Sequence, residues 1–352
     1  MRQRRIRDYG IVPGRLGTGE RNKITDVPGV RVGHCTVNRG ENHTGVTVIL
    51  PGRDNCFLNK YVAAAYVHNG FGKSCGLVQI EELGVLETPI ALTNTLNVGR
   101  VWDALTGWVI EECRKDQAEA ASINPVVGEC NDSRINRIQE RAVGEAQVRE
   151  AIRTAAEDFE EGAVGAGTGT VCFGLKGGIG SASRKVEIAG KQYTVGVLVQ
   201  SNFGATADFV LEGRPAGQRI LAMKEEKDGM AAAEQDKGSI MTVLATDIPL
   251  SSRQLKRVIR RAGVGIARTG AYTGHGSGEV MIGFTTANRI REGEAILNLS
   301  IIPEKAIDRV FLAAAEAAWE AILNSMVCAK PAVGLKGERY CSLAEFLPGC
   351  LE

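Results

Sequence analysis

Apolar residues recur along this chain with two different periods. Residues 30–32, 46–50, 88–92, 191–200, 239–245, 280–286 and 296–302 alternate or cluster β-branched and aliphatic side chains, which predicts strands. Helical spacing appears in residues 100–115, where Trp102, Leu105, Trp108, Val109 and Cys113 share one side. It returns after Pro303-Glu304, where Ile307, Val310, Phe311, Ala314, Ala318 and Ile322 recur every three or four residues; Pro303 is placed to start that helix. Residues 61–68, and the charged stretch 139–159 with small apolar residues on one face, also read as helices. Ser251 or Ser252 is placed to cap a basic helix running to about Ala267.

Between these elements lie an irregular Arg- and Gly-rich arm (residues 1–20), a polar turn (93–97) and a Gly-rich region (162–180). Residues 225–237 are polar with no period, which predicts an exposed linker. Strands that follow one another and are then separated by long helices predict a layered α/β sandwich.

Composition narrows the class. A formal net charge of +1 gives no electrostatic case for nucleic acid or an anionic membrane surface. The basic start, Met1 to Arg7, runs into Asp8, Tyr9 and Gly10 instead of the apolar run of a secretory signal. No apolar stretch is read as approaching the roughly 20 residues of a membrane span; the most apolar one, 311–323, carries Glu316 and Glu320. Nine scattered cysteines without a CxxC pair read as reduced thiols of a cytoplasmic protein.

Candidate chemistry centres on Gly238-Ser239, at the head of the strand-like run 239–245. A serine hydroxyl needs a base to take its proton, and only four histidines exist to supply one. Cleavage of the Gly238–Ser239 bond would free an α-amine on Ser239. Such an amine titrates near ~7.7–8.0, far below lysine at ~10.4, and it sits on the same residue as the hydroxyl it serves. Gly238 fits an N-to-O acyl shift, which asks for an unusual backbone conformation. Some forty residues on, the cluster 274–279 (Gly-His-Gly-Ser-Gly-Glu) precedes the run 280–286. Alternation puts Ser277 and Glu279 on one side of it, where Ser277 can meet the amine and Glu279 can hold Ser277 or the ammonium form. Read without that chemistry, the same residues are a Gly-Ser turn before a strand and a glycine hairpin with a solvated acid.

Several separated motifs, in order, resemble the L-aminopeptidase D-esterase/amidase family, which includes the β-peptidyl aminopeptidases. They are residues 24–30 (Ile-Thr-Asp-Val-Pro-Gly-Val), 93–99 (Thr-Asn-Thr-Leu-Asn-Val-Gly), 125–129 (Pro-Val-Val-Gly-Glu), the 165–169 glycines, 200–204 (Gln-Ser-Asn-Phe-Gly), 238–240 and 274–279. The resemblance implies a four-layer αββα sandwich like that of N-terminal-nucleophile hydrolases, with different strand connectivity. It implies one catalytic domain, 1–352, that cuts itself into residues 1–238 and 239–352, which stay together. Ser239 is then the nucleophile, Ser277 and Glu279 its supporting pair, Asn202 the oxyanion donor, and Glu129 the acid that receives a substrate's free ammonium. The implied partners are a short peptide or an amino-acid amide or ester, and other copies of the chain in a homo-oligomer, expected to be a tetramer; no cofactor is implied. After Glu129, relatives read Asn-Asp-Gly and an aromatic, where this chain reads Cys130-Asn131-Asp132-Ser133-Arg134. Arg134 therefore marks a change of pocket shape and charge that would admit acidic substrates.

Other readings are weaker. The 165–169 glycines lack the Lys-Ser/Thr ending of a phosphate loop, so close sheet packing near the site accounts for them better. His34, Cys35 and His43 match no zinc spacing, and a Cys35 or Cys130 nucleophile lacks an orienting third group. The stripe Arg253, Lys256, Arg257, Arg260 and Arg261 reads as a solvated face. Within enzymes, an amidase for ω-amino-acid oligomers and an ornithine-acetyltransferase-like acyltransferase are the alternatives, the latter disfavoured by a serine where threonine is usual. An uncleaved scaffold on the same fold is the non-enzymatic one.

Overall fold

The computed structural model describes residues 3–228 and 238–351. Six strands come first: β1 (Arg31–Arg39), β2 (Asn42–Leu50), β3 (Asn59–Gly70), β4 (Val85–Leu86), β5 (Ile90–Asn94) and β6 (Val126–Cys130). Then follow a short hairpin, β7 (Val171–Cys172) and β8 (Leu175–Lys176), and the long strands β9 (Gly178–Ile188), β10 (Lys191–Asn202), β11 (Ser239–Thr246) and β12 (Gly278–Arg291). One sheet has the order β1-β2-β5-β6; the other runs β4-β3-β12-β11-β10-β9. Pairing is antiparallel except at β5–β6 and β11–β12. Helices α5 (Ser252–Ile259) and α6 (Ala262–Ala267) lie in the crossover that a parallel β11–β12 pair requires.

Side-chain alternation sorts each strand into two cores. Between the sheets, Leu92, Val126 and Cys130 meet Met241, Val243, Val280 and Ile282. Outside the small sheet, Val46, Val48 and Val127 pack against α2 (Val98–Lys115) and α3 (Glu145–Arg153), through Val101, Leu105, Val148 and Ala151. Outside the large sheet, Ile240, Leu244 and Met281 pack against α5, α6 and the long helix α7 (Asp308–Val327). The layers are therefore α, β, β, α, as expected.

Several local expectations change. Residues 61–68 are not a helix but the middle of β3, which pairs with β12 and is buried on both faces over residues 61–65; the tertiary pairing overrides the helix preference of Ala63-Ala64-Ala65. The helix read over 139–159 shrinks to α3. It begins after Gly144, whose N–H is capped by the Gln147 side chain, and stops at Thr154 because Ala156 pairs its backbone with Val32. Trp102 points to solvent rather than to the buried side of α2. Residues 225–228 are the end of α4 (Ala216–Asp228), not linker, and 229–237 fall outside the described residues.

The strand read over 296–302 does not form, and leaves Ile296 (81% exposed) and Ile301 (58%) in solvent. The basic stripe on α5 is paired, Arg253 and Arg257 with Glu304 and Lys256 with Glu81. The N-terminal arm is pinned as well: Ile6 is buried, Arg5 pairs with Glu161, and Arg7 pairs with Glu320.

The expectation that no stretch reaches membrane-span length is also corrected. By length and composition α7 qualifies, yet it lies mostly inside the molecule. Its acids account for this: Glu316 and Glu320 meet the fully buried Arg184 of β9 at 3.2 and 2.8 Å.

Candidate active site

Ser239 is the first residue of β11, a central strand of the large sheet. On one side it pairs with Asn202, the last residue of β10; on the other it pairs with Gly278, the first residue of β12. Alternation sets its side chain on the face of Met241 and Val243, toward the small sheet. There β6 crosses, carrying Glu129. Ser239, Gly238, Asn202, Glu129 and Arg134 all line one cavity of about 290 Å³, with the rings of Phe71 and Phe203 among its apolar walls. Residues far apart in sequence are thus brought to one concave surface by the ends of three strands and the turn after β6.

Each polar group is held. Asn202 accepts the Val171 N–H on Oδ1 at 2.9 Å. That bond fixes the amide's orientation and leaves Nδ2, the donor end, for the cavity. Glu129 is buried; its Oε1 accepts the Lys73 N–H at 2.8 Å and its Oε2 accepts the Thr95 hydroxyl. A carboxylate so tethered offers negative charge at a fixed place.

Ser277 and Glu279 do not line the cavity. The Ser277 hydroxyl donates to Glu279 Oε1, and both residues are fully buried. Glu279 is in register with Ile240, so its side chain lies on the helix-covered face of the sheet, opposite that of Ser239. Asn69 anchors the turn before β12 by donating to the Gly274 and Ser277 carbonyls.

Gly238 has a packing role at the head of β11. A Cβ there would stand 2.0 Å from the Asn202 carbonyl oxygen, so only glycine lets the chain enter β11 this close to β10. The Gly238 carbonyl accepts the Gly278 N–H at 2.9 Å. The 165–169 glycines serve close packing too: a Cβ on Gly167 or Gly169 would fall 2.4 or 2.3 Å from the backbone of Ile179 or His43.

The remaining candidates have structural places. The Cys130 thiol is buried between the sheets, donates to the Gln200 and Ser239 carbonyls, and is pushed upward in pKa by burial, the opposite of what a thiolate nucleophile needs. His34 lies within β1; it bonds Thr47 and the Glu160 carbonyl, and burial lowers its imidazole to about 4. Among the described residues no three His, Cys, Asp or Glu side chains converge as metal ligands would.

Sequence reading missed Lys73, whose backbone N–H holds Glu129, because nothing in the Gly70-Phe71-Gly72 stretch marks it. Thr95 was inside a quoted motif but had no assigned role. Asp132, next to the departure at Ser133-Arg134, accepts from Thr44, Asn94 and Asn136, and burial raises its carboxyl to about 6.

Comparison with known proteins agrees with this geometry. The model of peptidase family S58 matches residues 22–340. The β-peptidyl aminopeptidase BapA of Sphingosinicella microcystinivorans is 38% identical over 95% of this chain and 88% of its own. A solved structure from Pyrococcus horikoshii OT3 superposes with a TM-score of 0.90 at 45% identity, covering 98% of both chains. The L-aminopeptidase D-Ala-esterase/amidase of Ochrobactrum anthropi, described as a prototype serine aminopeptidase and a new variant of the Ntn hydrolase fold, gives 0.90 at 35% identity over 99% of this chain and 98% of that one. The chain belongs to peptidase family S58 and is a serine aminopeptidase/amidase, a hydrolase of peptide and amide bonds.

Proposed function

We propose that this enzyme matures by cutting its own Gly238–Ser239 bond and then works as an N-terminal-serine aminopeptidase. In maturation the Ser239 Oγ attacks the Gly238 carbonyl carbon and the C–N bond breaks to leave an ester and a free α-amine. Water then hydrolyses the ester, leaving a Gly238 carboxylate. The Gly278 N–H already on that carbonyl oxygen supports the step, since it would hold the developing oxyanion.

In turnover the Ser239 amine takes the hydroxyl proton as Oγ attacks the substrate carbonyl, and returns it to the departing nitrogen. The acyl-enzyme is hydrolysed by water, activated by the same amine. Asn202 Nδ2 donates to the oxyanion. Glu129 receives the substrate's ammonium and so limits cleavage to the first residue. Ser277 and Glu279 orient the amine and balance its charge. The observation that carries the reading is the single cavity where Ser239, the locked Asn202 amide and the tethered Glu129 carboxylate meet.

Arg134 also lines that cavity, and a positive charge there favours acidic or carboxylate-bearing substrates. A homo-oligomer, expected to be a tetramer, accords with the exposed apolar residues Ile296, Leu297, Leu299 and Ile301. A cytoplasmic location accords with nine cysteines of which none forms a disulfide.

Intact mass and N-terminal sequencing test the proposal. Wild type should give two fragments, the second beginning at Ser239, while Ser239→Ala should give one inactive chain of 37.6 kDa. Full activity in a chain that remains continuous through residue 239 would refute it.

A further inference from the structure

Lys176 ends the β7–β8 hairpin, whose two-residue turn, Phe173 (φ 49°) and Gly174 (φ 64°), is left-handed at both positions. The side chain is fully buried. Its Nζ donates to three main-chain carbonyls, those of Gly167, Thr170 and Gly177, each at 2.9 Å. These three bonds use every proton an ammonium has. Its partners are carbonyl dipoles, not a carboxylate. Burial brings the ammonium down to about 7, with the Asp132 carboxylate and the Cys172 thiol acting the other way. Holding a cation here is therefore costly.

One of the three carbonyls leads to the catalytic cavity. The peptide joining Thr170 to Val171 accepts from Lys176 at its oxygen and donates from its N–H to Asn202 Oδ1. The chain of contacts thus runs ammonium, peptide, side-chain amide, and ends on Asn202, which lines the cavity. A peptide whose oxygen is held by a cation is a stronger N–H donor, and an amide whose oxygen accepts from that donor is strengthened in turn. Position is set by the same bonds: Gly167, Thr170 and Gly177 are tied to one nitrogen, so Val171 cannot shift without breaking them.

From this geometry we infer that Lys176 is a positioning residue of the oxyanion hole, orienting and polarising the Asn202 amide through the Thr170–Val171 peptide. The inference rests on the reading of Asn202 as oxyanion donor, and predicts that Lys176 acts on turnover only while Asn202 is present.

A double-mutant cycle separates the two claims. Wild type, Lys176→Met, Asn202→Ala and the double variant are compared on an amino-acid p-nitroanilide, with rates referred to the self-cleaved fraction measured on a denaturing gel. Lys176→Met is expected to lower kcat about tenfold, the scale of one charge-assisted hydrogen bond, with KM unchanged. In the Asn202→Ala background the same substitution should cost nothing further. Lys176→Arg, which retains the charge, should recover part of the loss. Equal losses in both backgrounds, a loss confined to KM, or no loss from Lys176→Met would each overturn the inference. Wild-type turnover from Asn202→Ala alone would remove the oxyanion reading beneath it. Should Lys176→Met fail to fold, Lys176→Gln, which keeps an uncharged donor, carries the same cycle with the same outcomes.

Discussion

Replacing Glu129 by Gln isolates the charge that receives a substrate's ammonium. Gln is nearly isosteric and can keep both tethers: its carbonyl oxygen accepts the Lys73 N–H, and its NH₂ donates to the Thr95 oxygen once that hydroxyl rotates. The pocket's shape is therefore retained and one negative charge is removed. At about 4 Å and an effective dielectric near 20, the lost attraction is bounded at about 4 kcal/mol. Removing the ammonium from water offsets part of this, and hydrogen bonds to charged groups net about 1.5–3 kcal/mol.

At 1.36 kcal/mol per factor of ten, the expected fall in kcat/KM is roughly 10- to 150-fold. The assay compares an amino-acid p-nitroanilide with its des-amino analogue on the cleaved enzyme. Only the substrate with a free amine should suffer, so the ratio of its kcat/KM to that of the analogue should fall by the same factor. Unchanged kcat/KM for the amino substrate, or an equal loss with both, would refute the ammonium role and leave Glu129 as a tether for the loop at Lys73.

Two further substitutions test the fold around the site. Gly238→Ala places a methyl group 2.0 Å from the Asn202 carbonyl; the β10–β11 ladder must shift, and self-cleavage followed by gel densitometry should slow by at least about tenfold, a 1 Å misplacement being enough for that. Wild-type maturation in this variant would show that the head of β11 tolerates displacement. Arg184→Met removes the buried cation shared by Glu316 and Glu320, leaving Glu320 with Arg7 and Glu316 with backbone donors, and should lower stability by about 3 kcal/mol in urea unfolding. Burial opposes ionisation of Glu320, yet the Arg7 hydrogen bond and the charges of Arg184 and Arg7 hold its carboxyl below the ordinary range. That stabilisation exists above the unfolded carboxylate's pKa and is lost as pH falls through the lower folded value. Acid unfolding of Arg184→Met should therefore begin at higher pH than in wild type; an unchanged acid midpoint would dismiss the network as a stabilising one.

The chain's own order of residues was enough for the layered α/β class, β10 and β11, a Ser251 or Ser252 cap on α5 and the candidate Ser239, whereas Asn202 and Glu129 were reached only through the family resemblance. Alternation, capping and local motif chemistry act over a few residues, and so are visible in one dimension. Tertiary structure decided the rest. Residues 61–68 became strand because β12 was available to pair with them, and 296–302 did not because no partner strand was. Glu316 and Glu320, which looked like acids interrupting an apolar helix, became the buried partners of an arginine from β9. The reason for Gly238 lies in the backbone of β10, and the reach of Lys176 to Asn202 passes through a peptide bond that no spacing rule marks. Pairing, burial and electrostatic coupling depend on which distant segments meet, and that is fixed only when the two sheets close on one another.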